Sequence, residues 1–107
     1  MRTIKELRDT GKKIYFYLAN EQIGNEFLKD AENEGYRFGD GEMPTARKPD
    51  DIMAITEKDE LCYVGWAGRV CFHYQPENVI AVNYERYKQG AEDYLYHSCQ
   101  PKPTLLN

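Results

Sequence analysis

Two short pairs, Cys71-x-His73 and His97-x-Cys99, carry the most specific chemistry in this 107-residue chain. One thiolate and one imidazole from each pair would supply the four ligands of a tetrahedral zinc ion, with Cys62 close by in sequence. The spacing argues the other way, because i, i+2 is not the usual two-residue knuckle. Cys62 and Cys71 also sit among apolar neighbours, where a free cysteine behaves as a small hydrophobe. The same residues admit a nucleophile, with Cys71 activated by His73 or His97. No local signature surrounds either cysteine, and no helix N-terminus follows to lower the thiol pKa. Burial is the expected use of these residues. No catalytic residue, metal or cofactor is assigned, and in the absence of any triad, zincin or Walker motif no enzymatic activity is expected.

The charged residues offer two further constellations. Asp40, Glu42, Asp50 and Asp51 surround one long loop and have the chemistry of an acid/base pair or a hard-cation site. Eighteen acids in the chain produce such clusters by chance, so solvated carboxylates are the plainer account. Gly39-Asp40-Gly41 is too short to cradle a phosphate and reads as a turn. Beside it, Arg47, Lys48 and Arg69 with Tyr36 and Trp66 have the stacking and anion-pairing chemistry of a small-nucleotide pocket. The alternative puts Trp66 in the core and leaves the bases solvated.

Elements must position these residues. Thr3 and Glu6 have capping-box spacing and Gly11 a stop, giving a short helix over 4–10. Residues 13–19 read as a strand with Ile14, Phe16 and Leu18 on one face. Asn20 caps a helix to Glu34, with a stripe of Ile23, Phe27 and Ala31 and a stop at Gly35. Gly24 is tolerated there and permits close packing on the sheet. Short strands follow at 36–38 and 52–56, separated by an exposed loop over 42–51. The run from Leu61 to Tyr74 is apolar on both faces and is read as the central strand, with Ala67-Gly68 as a hairpin turn leading into Val70–Tyr74. A last strand covers 79–84, a helical turn 84–88, and residues 98–107 form a frayed tail. The expected architecture is α+β: a mainly antiparallel sheet of four to five strands, one amphipathic helix on one face, and a short N-terminal helix, all within a single domain over 1–97. Its core is expected to include Tyr63, Val64, Val70, Phe72, Val79 and Ile80 beside the aliphatic strand residues.

Composition narrows the function classes. A net charge of −4 disfavours duplex binding, which needs a basic footprint. No apolar run reaches the length of a membrane span, and the first residues lack the apolar segment of a signal peptide. With three cysteines, one stays unpaired, so an intracellular, cytoplasmic protein with reduced thiols is expected.

Four segments carry a resemblance: Tyr36-Arg37-Phe38-Gly39-Asp40-Gly41, Asp51-Ile52-Met53-Ala54-Ile55, Cys62-Tyr63-Val64-Gly65 and Val82-Asn83-Tyr84-Glu85-Arg86-Tyr87. Over residues 13–87 the chain resembles small βαβββ proteins of Firmicutes phages and mobile elements. The resemblance brings no catalytic residues. It implies a partner-binding role, of the kind seen in phage inhibitors of host defence. The expectation is therefore a protein-interaction module that blocks a nucleic-acid-binding defence protein. Its contact surface would combine Asp40, Glu42, Asp50 and Asp51 with the tyrosine cluster Tyr84, Tyr87, Tyr94 and Tyr96, since acids complement a basic channel and tyrosines anchor interfaces.

Overall fold

The computed structural model describes residues 2–66, 69–70 and 79–96. Their order is α1 (Ile4–Arg8), β1 (Lys13–Tyr17), α2 (Glu21–Asn33), β2 (Arg37–Phe38), a 3₁₀ turn (Pro44–Ala46), β3 (Ile52–Ile55), β4 (Glu60–Tyr63), β5 (Val79–Asn83) and α3 (Tyr84–Lys88). The fold is α+β, with five strands in the order β2-β4-β3-β1-β5. Antiparallel pairing holds the middle, where β3 lies between β4 and β1. The outer strands β2 and β5 each join their neighbour in parallel, so β3 alone runs against the other four.

Local chemistry sets the ends of these elements. Thr3 and Glu6 form the reciprocal capping box at α1. The Asn20 side chain accepts the Ile23 N–H at the start of α2, and Gly35, at φ +94°, turns the chain out of it. Alternation along the strands then divides the interior in two. On the helix side, Ile14, Phe16, Met53, Ile55, Leu61 and Val82 meet Ile23, Phe27, Leu28 and Ala31 of α2. Three rings centre that layer: Phe16 lies 4.6 Å from Phe27, and Tyr84 stands edge-on to both at 5.8 and 5.2 Å. On the opposite face Tyr15, Ile52, Ala54, Val64 and Ala81 form a second buried cluster.

The N-terminal segment is tied down from two directions. The Glu34 carboxylate accepts the Ile4 and Lys5 N–H groups at 3.0 and 2.9 Å, extending the satisfaction of free donors at the start of α1. Arg2 donates to the Tyr87 and Ala91 carbonyls and lies over the Tyr87 and Tyr94 rings.

Several expectations are corrected. The centre of the sheet is β3, all four of whose residues are buried, and not the run from Leu61. β4 ends at Tyr63, and the backbone at Trp66, Arg69 and Val70 is helical, so Val70 does not begin a returning strand. Within the described part of that run the strand ends and the backbone turns helical, which alternation alone does not reveal. Tyr63 and Trp66 are exposed, Val70, Val79 and Ile80 are half-buried, and Tyr15, Tyr36, Tyr84 and Tyr87 take core positions instead. Gly24 makes room for loop residue Pro49: a Cβ on Gly24 would lie 2.5 Å from Pro49 Cβ. The Ala67-Gly68 turn, the rest of the strand placed at Val70–Tyr74 (Phe72 included) and the tail over 98–107 lie outside the described residues.

Candidate interaction surface

The end of the sheet at β2 and β4 is shaped by how β2 stops. Gly41, at φ +89°, closes a turn in which its N–H donates to the Phe38 carbonyl. The Phe38 N–H donates to the Glu42 carbonyl, and Asp40 Oδ1 accepts the Glu42 N–H at 3.0 Å. That N–H, together with Arg47, holds the Asp40 carboxyl below its ordinary range. Arg47 returns across the turn to pair with both Asp40 and Glu42, its guanidinium 4.2 Å from the Phe38 ring centre. Phe38 stacks in turn with Tyr63 at 5.6 Å, and the Tyr63 hydroxyl donates to the Lys48 carbonyl at 2.6 Å. The loop between β2 and β3 is thus fastened to the end of β4 by a guanidinium and two rings.

Beyond Lys48 the loop passes Pro49 and delivers Asp50 and Asp51 to the start of β3. The Asp51 carbonyl accepts the Leu18 N–H, which fixes this point to the end of β1. Arg69 donates to both Asp51 carboxylate oxygens, at 2.7 and 3.4 Å, and lies 3.6 Å from Asp50. The Arg69 contact holds the Asp51 carboxyl below its usual pKa. These four acids nevertheless remain between 44% and 60% exposed. Trp66 stands out at 82% exposed, with Tyr63 at 42% and Met43 at 41%. Three of the four exposed large apolar side chains among the described residues therefore belong to this end of the sheet; Leu95 is the fourth.

The residues anticipated as one contact surface are divided by the topology. Asp40 and Glu42 follow β2 at one edge, whereas α3 and residues 94–96 follow β5 at the other. Tyr84 and Tyr87 are buried and cannot serve as exposed anchors. The Tyr84 hydroxyl donates to Asp30 and that of Tyr87 to the Thr3 carbonyl. Their i, i+3 spacing on a helical turn is the signal that marks them as a buried stripe. Tyr94 and Tyr96 are half-buried alongside β5, where the Asn83 N–H donates to the Tyr94 carbonyl and the Tyr96 N–H to that of Ala81.

The nucleotide-binding set is likewise separated. Tyr36 precedes β2, near the start of β4, while Trp66 lies past the other end of that strand. Tyr36 is buried and lines a cleft of about 410 Å³ with Lys5, Arg8, Asp9, Glu34, Gly35 and Asp59, apart from Arg47, Lys48, Trp66 and Arg69. Cys71, His73, His97 and Cys99 lie outside the described residues. Cys62 is half-buried, and burial pushes its thiol up, away from the thiolate. Among the described residues no three His, Cys, Asp or Glu side chains converge to hold a metal ion, and no helix is long and apolar enough to cross a membrane.

Neither a family model, a curated protein nor a solved structure matches this chain.

Proposed function

We propose that this protein is a small interaction module that binds a basic protein partner through the end of the sheet around Tyr63 and Trp66. The carrying observation is Trp66, an indole 82% exposed, three residues past half-exposed Tyr63 and three before Arg69, which pairs with the Asp50 and Asp51 carboxylates. An aromatic centre with a charged rim is the anatomy of a protein interface, and tryptophan is prominent among residues that dominate binding energy. The net charge of −4 favours a basic partner and speeds its approach. A nucleic-acid-binding protein has such a surface, and occupying its channel would make this module an inhibitor, in line with the resemblance to phage proteins. Sequestration of a nucleotide is supported less well, since Arg47 and Arg69 each already face two carboxylates.

The test is capture of a partner from bacterial lysate, followed by binding kinetics with the purified pair. Trp66→Ala should weaken the complex by about 30-fold or more. Asp50→Lys combined with Asp51→Lys should slow association and reduce its dependence on salt. A complex indifferent to all three substitutions would remove this surface from the proposal.

A further inference from the structure

β4 is longer than the strand that covers its outer side. Three residues of β4 pair with β3, with Ile55 opposite Leu61, Ala54 opposite Cys62 and Met53 opposite Tyr63. At the hairpin end the Thr56 N–H donates to the Glu60 carbonyl. Bonded and non-bonded pairs alternate along an antiparallel ladder. Counting from Thr56 and Glu60, Ala54 and Cys62 form the next bonded pair, and Met53 and Tyr63 do not. The N–H and C=O of Tyr63 therefore point away from β3, to the side where β2 lies. There β2 is already finished: Phe38 opposite Leu61 is its last pair, and Gly41 carries the chain off in a turn.

From this we infer that the outer edge of β4 at Tyr63 is a strand-addition site for an extended, lysine- or arginine-bearing peptide segment of the partner. An added strand would continue the line of β2, exchanging main-chain hydrogen bonds with Tyr63. Its occupant follows from the surroundings. The exposed carboxylates of Asp40 and Glu42 stand at the end of β2, and those of Asp50 and Asp51 at the start of β3, so an acidic segment meets like charge while a basic one is favoured. The exposed rings of Tyr63 and Trp66 offer faces to a cationic side chain. The opposite edge differs, because residues 94–96 already lie along β5, with an antiparallel bridge between Val82 and Leu95.

This inference rests on the interaction surface proposed above and names the mode of recognition. Its probe is a capped heptapeptide of alternating valine and lysine, titrated into the full chain while backbone amide resonances and Trp66 fluorescence are followed. Two controls accompany it: the same peptide with alternate backbone nitrogens methylated, made in both registers, and a version with glutamate in place of lysine. The expected result is saturable binding with the largest amide shifts at and beside Tyr63. Methylation in one register should weaken it by about tenfold, the loss of a hydrogen bond. The glutamate peptide should not bind. No binding, shifts centred elsewhere, or equal affinity of the methylated and unmodified peptides would overturn strand addition. Equal affinity combined with sensitivity to Trp66→Ala would remove strand addition and leave the wider surface standing. Loss of both would remove both.

Discussion

The hydroxyl of Tyr84 donates to Asp30 Oδ2 at 2.5 Å, joining α3 to α2 at the edge of the main core. Lys88 Nζ stands 3.6 Å from the same oxygen, so one carboxylate is shared by a buried phenol and a half-buried ammonium. The Tyr84 ring is otherwise enclosed against Phe16 and Phe27.

Tyr84→Phe keeps the ring packing and removes only that bond. It should cost about 1–2 kcal/mol, since the partner carboxylate retains Lys88. Tyr84→Ala opens a cavity among aromatic rings and should cost about 3–5 kcal/mol. Urea unfolding followed by circular dichroism would measure both. A Tyr84→Phe midpoint equal to that of the unaltered protein would show that the hydroxyl contributes nothing.

Alkaline pH should unfold the protein through its buried phenols. Burial, reinforced by Asp59, pushes Tyr36 up to about 12. Burial, with Glu6 close by, pushes Tyr87 up to about 12, and burial together with the Asp30 bond pushes Tyr84 up further. Unfolded phenols ionise near 10, so above that pH the unfolded chain binds fewer protons than the native one. Stability should be unaffected by these groups below pH 10 and should fall through the interval from 10 to 12. The slope is at most about 1.4 kcal/mol per pH unit for each phenol. Urea midpoints at pH 9 and pH 11 give the comparison. A flat midpoint across that range would contradict the buried, protonated state of these tyrosines.

Gly24→Ala tests how α2 meets the loop. In an exposed helix the change would stabilise by about 1 kcal/mol. Here the new Cβ would lie 2.5 and 2.8 Å from Pro49 Cβ and Cγ, and a proline ring has little freedom to retreat. A net loss of about 1–3 kcal/mol is expected. Pairing it with Pro49→Gly, which removes both contacting atoms, should relieve the overlap so that the double variant loses less than the two single changes combined, and a gain in midpoint for Gly24→Ala alone would disprove the contact.

The parts of this fold legible in the sequence were those governed by local rules. The reciprocal Thr3 and Glu6 cap, the Asn20 cap, the stop at Gly35 and the alternation of Ile14 and Phe16 with Tyr15 and Tyr17 each depend on neighbours a few residues away. Tertiary placement was less legible. An apolar segment looks the same whether it crosses the sheet or leaves it, so Trp66 read as interior although β4 stops three residues earlier. Tyr84 and Tyr87 read as surface anchors because their polar tips suit either environment, and only Asp30 and the Thr3 carbonyl, far away in sequence, decide it. The acidic loop was recognisable as exposed. Its fastening through Arg47, Phe38 and Tyr63 depends on a strand pairing that no local pattern announces.

The parallel pairing of β1 with β5, which sets Phe16 beside Val82, has a consequence during synthesis. β1 leaves the ribosome long before its outer neighbour exists. A nascent chain that has reached the β3–β4 hairpin can seat β1 against β3, but the other side of β1 stays bare until Val79–Asn83 has been made. The main-chain groups of Tyr15 and Tyr17 face that open edge, flanked by the apolar side chains of Ile14 and Phe16, and such an edge is a template for pairing with other chains. Contacts so distant in sequence also close slowly. The chain is thus most prone to aggregate while still attached to the ribosome, and slow translation ahead of β5 would lengthen that exposure.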